Sequence, residues 1–99
     1  MRTLVVLNEL YYIEYVFDND IEINQAAFKH GISEVDIRHA IRYFIFEEQI
    51  DDGDNKHLIL GFDTSRRLLE ILYNVIDDHT INVFHAMKCR KAWRSLVNL

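Results

Sequence analysis

One stretch of the sequence collects the side chains that phosphodiester chemistry uses: Phe84-His85-Ala86-Met87-Lys88-Cys89-Arg90-Lys91. An imidazole can move a proton near neutral pH, and Lys and Arg can stabilise charge that develops on phosphate. His85 closes an apolar run, Val83-Phe84, and cations follow in the next turn. Glu70 lies in the middle of the longest apolar run, Leu68 to Ile76. If it faces inward it is a buried carboxylate and a partner for His85 or an arginine; if it faces outward it is ordinary strand alternation. Arg66 and Arg67 stand at the turn before that run. These residues divide into a catalytic set, His85, Lys88 and Glu70, and a substrate-binding set, Arg66, Arg67, Arg90 and Lys91. Basic residues near a C-terminus also serve simply to solvate a helix and complement its dipole, and spacing alone favours that plainer role.

The remaining candidates carry less. The chain has five His and one Cys, and no His pair has the i, i+4 helical spacing of a zinc site, so neither a metal nor another cofactor is expected. His57 and His79 fall in turn regions and read as solvated. His30 ends a short helix, where it can meet the negative end of the dipole, and His39 lies on the helix face opposite Ile37 and Ile41. Cys89 stands between Lys88 and Arg90, neighbours that lower a thiol pKa, but no base accompanies it.

The elements that must position these side chains follow from apolar periodicity. Ser33 can cap the first free amides of a helix, Glu34 and Asp36 suit its positive end, and Gly31 supplies a joint before it. Ile37, Ala40, Ile41 and Phe44 then recur at the spacing of a packed helical face. A shorter helical turn is expected from about Gln25 to His30, stopped by Gly31. Beyond Tyr43 short apolar runs alternate with Asp, Asn, Gly and Ser turns: Phe44-Ile45-Phe46, Leu58-Ile59-Leu60, Leu68 to Ile76, and Ile81 to Phe84. That pattern is a meander of antiparallel strands. The third run also contains good helix formers, and Ile, Tyr and Val near its end favour strand. From Lys88 onward, Ala92, Trp93, Leu96 and Val97 return to helical spacing. The expected fold class is α+β: an antiparallel sheet of four to five strands, with two helices before the meander and a C-terminal helix packed on it.

At 99 residues, with no repeats and no Pro, the chain is expected to form one domain. A hydrophobic content of 49% excludes disorder by composition. A single Cys cannot form an intrachain disulfide, which favours a reducing, cytoplasmic setting. Residues 4–7 and 10–17 are apolar, but Asn8, Glu9 and Glu14 interrupt them, far short of the roughly 18 residues a membrane span needs. That segment reads as a strand or a short helix. The net charge of −5 argues against broad electrostatic binding of nucleic acid. It conceals a division, however. Residues 1–59 carry five Lys/Arg against twelve Asp/Glu, and residues 60–99 carry six against four. The cations thus collect around His85, enough for a small phosphate site. The aromatic residues, several near the N-terminus, suit an apolar patch for a partner or a homodimer.

Four segments in order carry a resemblance: Lys29-His30-Gly31-Ile32-Ser33-Glu34, Leu60-Gly61-Phe62-Asp63, Arg67-Leu68-Leu69-Glu70, and Val83-Phe84-His85-Ala86-Met87-Lys88-Cys89-Arg90. Over about residues 21–95 the chain resembles the BrnT-like toxins of the RelE-like group, found in bacterial type II toxin–antitoxin pairs. Residues 1–20 lie outside the likeness. Where those toxins usually carry Ser-Ala-Arg after the last strand, this chain has His85-Ala86-Met87. The resemblance implies a small RelE-like domain, metal-independent cleavage of RNA, free or ribosome-bound, and neutralisation by a cognate antitoxin. The alternative is a catalytically inactive domain of the same fold, acting through protein contacts.

Overall fold

A computed structural model describes residues 20–50 and 54–99. The expected strand or helix over the first apolar segment lies outside these residues. The α+β class is as expected, and the sheet has five strands: β1 (Asp20–Ile23), β2 (Phe44–Gln49), β3 (His57–Phe62), β4 (Leu68–Asp77) and β5 (Thr80–Lys88). Their spatial order is β1-β5-β4-β3-β2. The sheet is mixed rather than wholly antiparallel, because β1 runs parallel to β5, with Asp20 opposite Thr80 and Ile23 opposite Val83. The short Asp-Ile-Glu-Ile segment gave no sign of this. A parallel pair needs a long crossover, and here everything between β1 and β5 supplies it.

The main helix, α1 (Glu34–Arg42), forms as its signals require. Ser33 Oγ accepts a hydrogen bond from Asp36 N at 3.1 Å, Glu34 and Asp36 occupy the first turn, and Ile37, Ala40 and Ile41 are buried. Gly31 precedes it with φ +81°, a left-handed conformation that costs most L-residues energy. The earlier turn is shorter than expected, a 3-10 turn over Gln25–Phe28 capped by Asn24. The C-terminal helix is also reduced: one α-turn, α2 (Lys91–Arg94), followed by a 3-10 turn over Ser95–Val97. Lys88 therefore ends β5, and Arg90 occupies the N-cap position of α2.

Both faces of the sheet are covered. On one, Ile59, Leu69, Ile71, Tyr73, Ile81 and Val83 pack against Ala27, Ile37, Ala40 and Ile41. On the other, Leu58, Leu60, Leu68 and Cys89 pack with Phe46, Leu72, Trp93 and Val97. Burial on two faces explains why β3 and β4 read as continuous apolar runs. α1 sits close to the sheet at Gly61, where an added Cβ would fall on the backbone of Ala40. Three shifts in register keep the apolar residues inward. Phe44 pairs with Gly61 but Phe46 with Leu60, Val75 with Ile81 but Asp77 with Thr80, and Tyr73 with Val83 but Leu72 with His85. The extra residues are Ile45, Ile76 and Phe84, and the first two are exposed.

Candidate active site

The shift at Phe84 decides which way His85 points. Strict alternation from Ile81 and Val83 would send His85 into the α1 side of the sheet. The extra residue reverses the phase, so His85 pairs with Leu72 and Met87 with Glu70. His85 and Glu70 therefore share the face covered by α2, while Lys88, opposite Leu69, belongs to the other.

Glu70 faces inward and is fully buried between Leu68 and Leu72. Oε1 accepts from Arg90 N at 2.9 Å and Arg90 Nε at 3.1 Å. Oε2 accepts from Arg90 Nη2 at 2.6 Å, Arg90 Nε at 3.1 Å and His85 Nε2 at 2.9 Å. A carboxylate offers about four acceptor positions, so this one is fully used. Burial pushes its pKa up, but the Arg90 side-chain and backbone hydrogen bonds, with that of His85, outweigh it and leave the group below its ordinary range. Glu70 thus stays an anion without touching solvent. It pins the start of α2 to β4 through the Arg90 amide and orients two side chains that do reach solvent. The Arg90 side chain is 57% exposed and that of His85 20%.

Because an ionised carboxylate only accepts, His85 Nε2 carries the hydrogen of that contact, and Nδ1 keeps its lone pair while the ring is neutral. An imidazole held by a carboxylate on one nitrogen, with the other left for a substrate, is the arrangement of a general base. Its neighbour across the edge of β5 is His30, whose ring meets that of His85 edge-on at 5.6 Å between centroids. β1 ends at Ile23, opposite Val83, and Asn24 N donates to Val83 O at 2.8 Å. The turn Gln25–Phe28 consequently runs beside the second half of β5 and delivers His30 there. Residues 30 and 85 lie too far apart in sequence for spacing to have joined them, and the expected place of His30, at a helix dipole, missed this contact.

The other cations are distributed differently. Cys89 N donates to Leu68 O at 2.8 Å, which brings the β3–β4 turn and the residues after β5 to the same end of the sheet. Arg66 and Arg67 occupy that turn, Arg66 with φ +68°. Arg67 is committed elsewhere: its Nε donates to Asp63 Oδ2 at 2.6 Å, and Nη2 lies 3.9 Å from Asp36 Oδ2. Asp63 is buried; burial raises its pKa, but the Arg67 and Ser65 bonds prevail and hold it below the ordinary range. Lys88, Lys91 and Arg66 are exposed, and none of them joins the Glu70 network. The structure therefore brings together Glu70, His85 and Arg90, and leaves Arg67, Arg66, Lys88 and Lys91 outside that network.

Two expectations, those for His57 and Cys89, need correction. His57 is not a solvated turn residue: it opens β3, stacks on Tyr73 at 4.8 Å and lies 3.4 Å from Glu47 Oε2, to which Tyr73 Oη donates at 2.7 Å. His39 is half-buried and donates from Nδ1 to Phe62 O at 2.8 Å, beside an open groove of about 410 Å³ that Arg66 also lines. The Cys89 thiol has its pKa raised, not lowered. Burial and the Glu70 charge push it up, and Arg94 and Arg90 only partly oppose them. Among the described residues no three His, Cys, Asp or Glu side chains gather where they could hold a metal ion. No helix among them is long and apolar enough to cross a membrane. Comparison with protein-family models, curated proteins and solved structures finds no match for the chain.

Proposed function

We propose that the protein is the toxin of a bacterial toxin–antitoxin pair and cleaves RNA without a metal. One observation carries this reading: a buried carboxylate, Glu70, holds an imidazole and a guanidinium side by side, each partly open to solvent. An oriented imidazole beside a fixed guanidinium suits a phosphodiester, where a hydroxyl must lose a proton while charge grows on the phosphoryl oxygens. RNA carries its own nucleophile, the 2′-hydroxyl, next to the phosphate. In this reading His85 accepts the proton, Arg90 faces the phosphoryl oxygens, and Glu70 positions both. Lys88, Lys91, Arg66 and the exposed part of Arg67 contact flanking phosphates. The likeness to BrnT-like toxins, carried by the motifs quoted above, supports the same substrate.

A cognate antitoxin belongs to the proposal. Among the described residues β2 is an edge strand, and the exposed Tyr43 and Ile45 lie at its start. Exposed apolar side chains of this kind suit an apolar contact from a partner. Induced expression of the intact chain tests the function. Growth should stop and messenger RNA should be cut, and His85→Ala together with Lys88→Ala should abolish both while the protein stays folded. Normal growth with intact RNA would overturn the proposal and favour an inactive, protein-binding role.

A further inference from the structure

Transfer of a phosphodiester to a neighbouring hydroxyl needs two proton movements, one away from the nucleophile and one onto the leaving oxygen. When both occur in one displacement step, a single histidine supplies only one of them. The structure places a second imidazole, His30, against the first, with ring centroids 5.6 Å apart. We infer that His30 is the general acid that complements His85; this rests on the ribonuclease reading above.

The roles follow from the surroundings of the two rings. His85 Nε2 donates to Glu70, whose negative charge stabilises the imidazolium formed when Nδ1 takes up a proton. That makes His85 the base. Among the described residues no carboxylate pairs with His30, which is exposed on the turn that leads to Gly31, where it can meet a leaving group. Lys88 is the obvious rival donor by sequence position, but its register with Leu69 puts it on the other face of the sheet from Glu70 and Met87. Arg90 is held by Glu70 in three side-chain hydrogen bonds, and a guanidinium does not give up its proton.

The step balances without a cofactor. His85 Nδ1 takes the proton of the ribose 2′-hydroxyl, and the 2′-oxygen forms a bond to phosphorus. The bond from phosphorus to the 5′-oxygen of the next nucleotide breaks, and His30 supplies the proton that this oxygen needs. The products are a 2′,3′-cyclic phosphate and a free 5′-hydroxyl. Nothing is oxidised or reduced.

A substrate whose leaving group needs no proton separates the two roles. The full-length protein, H30Q and H85Q are compared on a mixed-sequence RNA oligonucleotide and on ribonucleoside 3′-(4-nitrophenyl phosphates), which release 4-nitrophenolate unprotonated. H30Q should be slower on RNA by about 100-fold or more, yet within about threefold of wild type on the activated esters. H85Q should be slow on both. His30→Phe, which keeps a ring against His85, repeats the test should H30Q fold poorly. If the His30 variants keep pace on RNA, or slow both substrates alike, the acid assignment is overturned while the ribonuclease reading stands. A wild type inert on both substrates overturns the two together.

Discussion

Replacing Arg90 by Met should expose how strongly the buried Glu70 carboxylate depends on its partner. The substitution removes three side-chain hydrogen bonds to a fully buried anion and leaves it the Arg90 amide and His85. Breaking a buried ion pair from one side costs about 3–5 kcal/mol. Because the Arg90 side chain is 57% exposed, water will replace part of what is lost, and the expected cost at neutral pH falls to about 2–3 kcal/mol. For a domain of this size that lowers Tm by roughly 8–20 °C. The pH dependence is the sharper part. In the wild type the folded-state pKa of Glu70 lies below its unfolded value, so the ionised group contributes stability above the unfolded pKa and loses it as pH falls through the folded one. Without Arg90 the carboxyl can take up a proton more readily, and the contribution is missing at all pH values. The difference between wild type and variant should therefore shrink on going from pH 7 to about pH 4, where carboxylates begin to protonate. Urea unfolding followed by circular dichroism measures it at both pH values. A difference below about 0.5 kcal/mol at pH 7, or one that does not narrow in acid, would refute the assignment of Glu70 as a buried, Arg90-dependent anion.

Two further perturbations test the frame around the site. Gly61→Ala pushes a methyl group into the backbone of Ala40 and should cost about 3 kcal/mol in urea unfolding, since neither β3 nor α1 can give way freely. Asp63→Asn removes the charge that anchors Arg67 but keeps an acceptor for the Ser65 and Arg67 amides. It should cost about 1–2 kcal/mol at pH 7 and less in acid, because the depressed folded-state pKa of Asp63 confers stability that vanishes as pH falls through it.

Much of the fold could be read from local signals because those signals are strong here. Ser33, Glu34 and Asp36 mark the start of α1, and four separate apolar runs mark β2 to β5. Glu70 and His85 were recognisable as partners because β4 and β5 form a hairpin, and Arg90 follows within one turn. Other features depend on long-range pairing, which no local pattern encodes. The parallel attachment of β1 rests on hydrogen bonds to a strand almost sixty positions later, and so does the approach of His30 to His85. The extra residue at Phe84, which turns His85 toward Glu70, is visible only once Tyr73 is seen opposite Val83 and Leu72 opposite His85. Cys89 shows the opposite error: its sequence neighbours are cations, yet burial and the anion across the sheet set its chemistry. His57 looked like a turn residue because an acidic cluster precedes it, but the strand begins at the histidine itself.

The proposed function rests on RNA cleavage by the Glu70–His85–Arg90 arrangement without a metal. Incubating the purified full-length chain with RNA in excess EDTA, and mapping the product ends, tests it most directly. Fragments ending in 2′,3′-cyclic phosphate are expected, formed at least about 100-fold more slowly by H85Q. RNA left intact by the wild type, or cut equally well by H85Q, would contradict it.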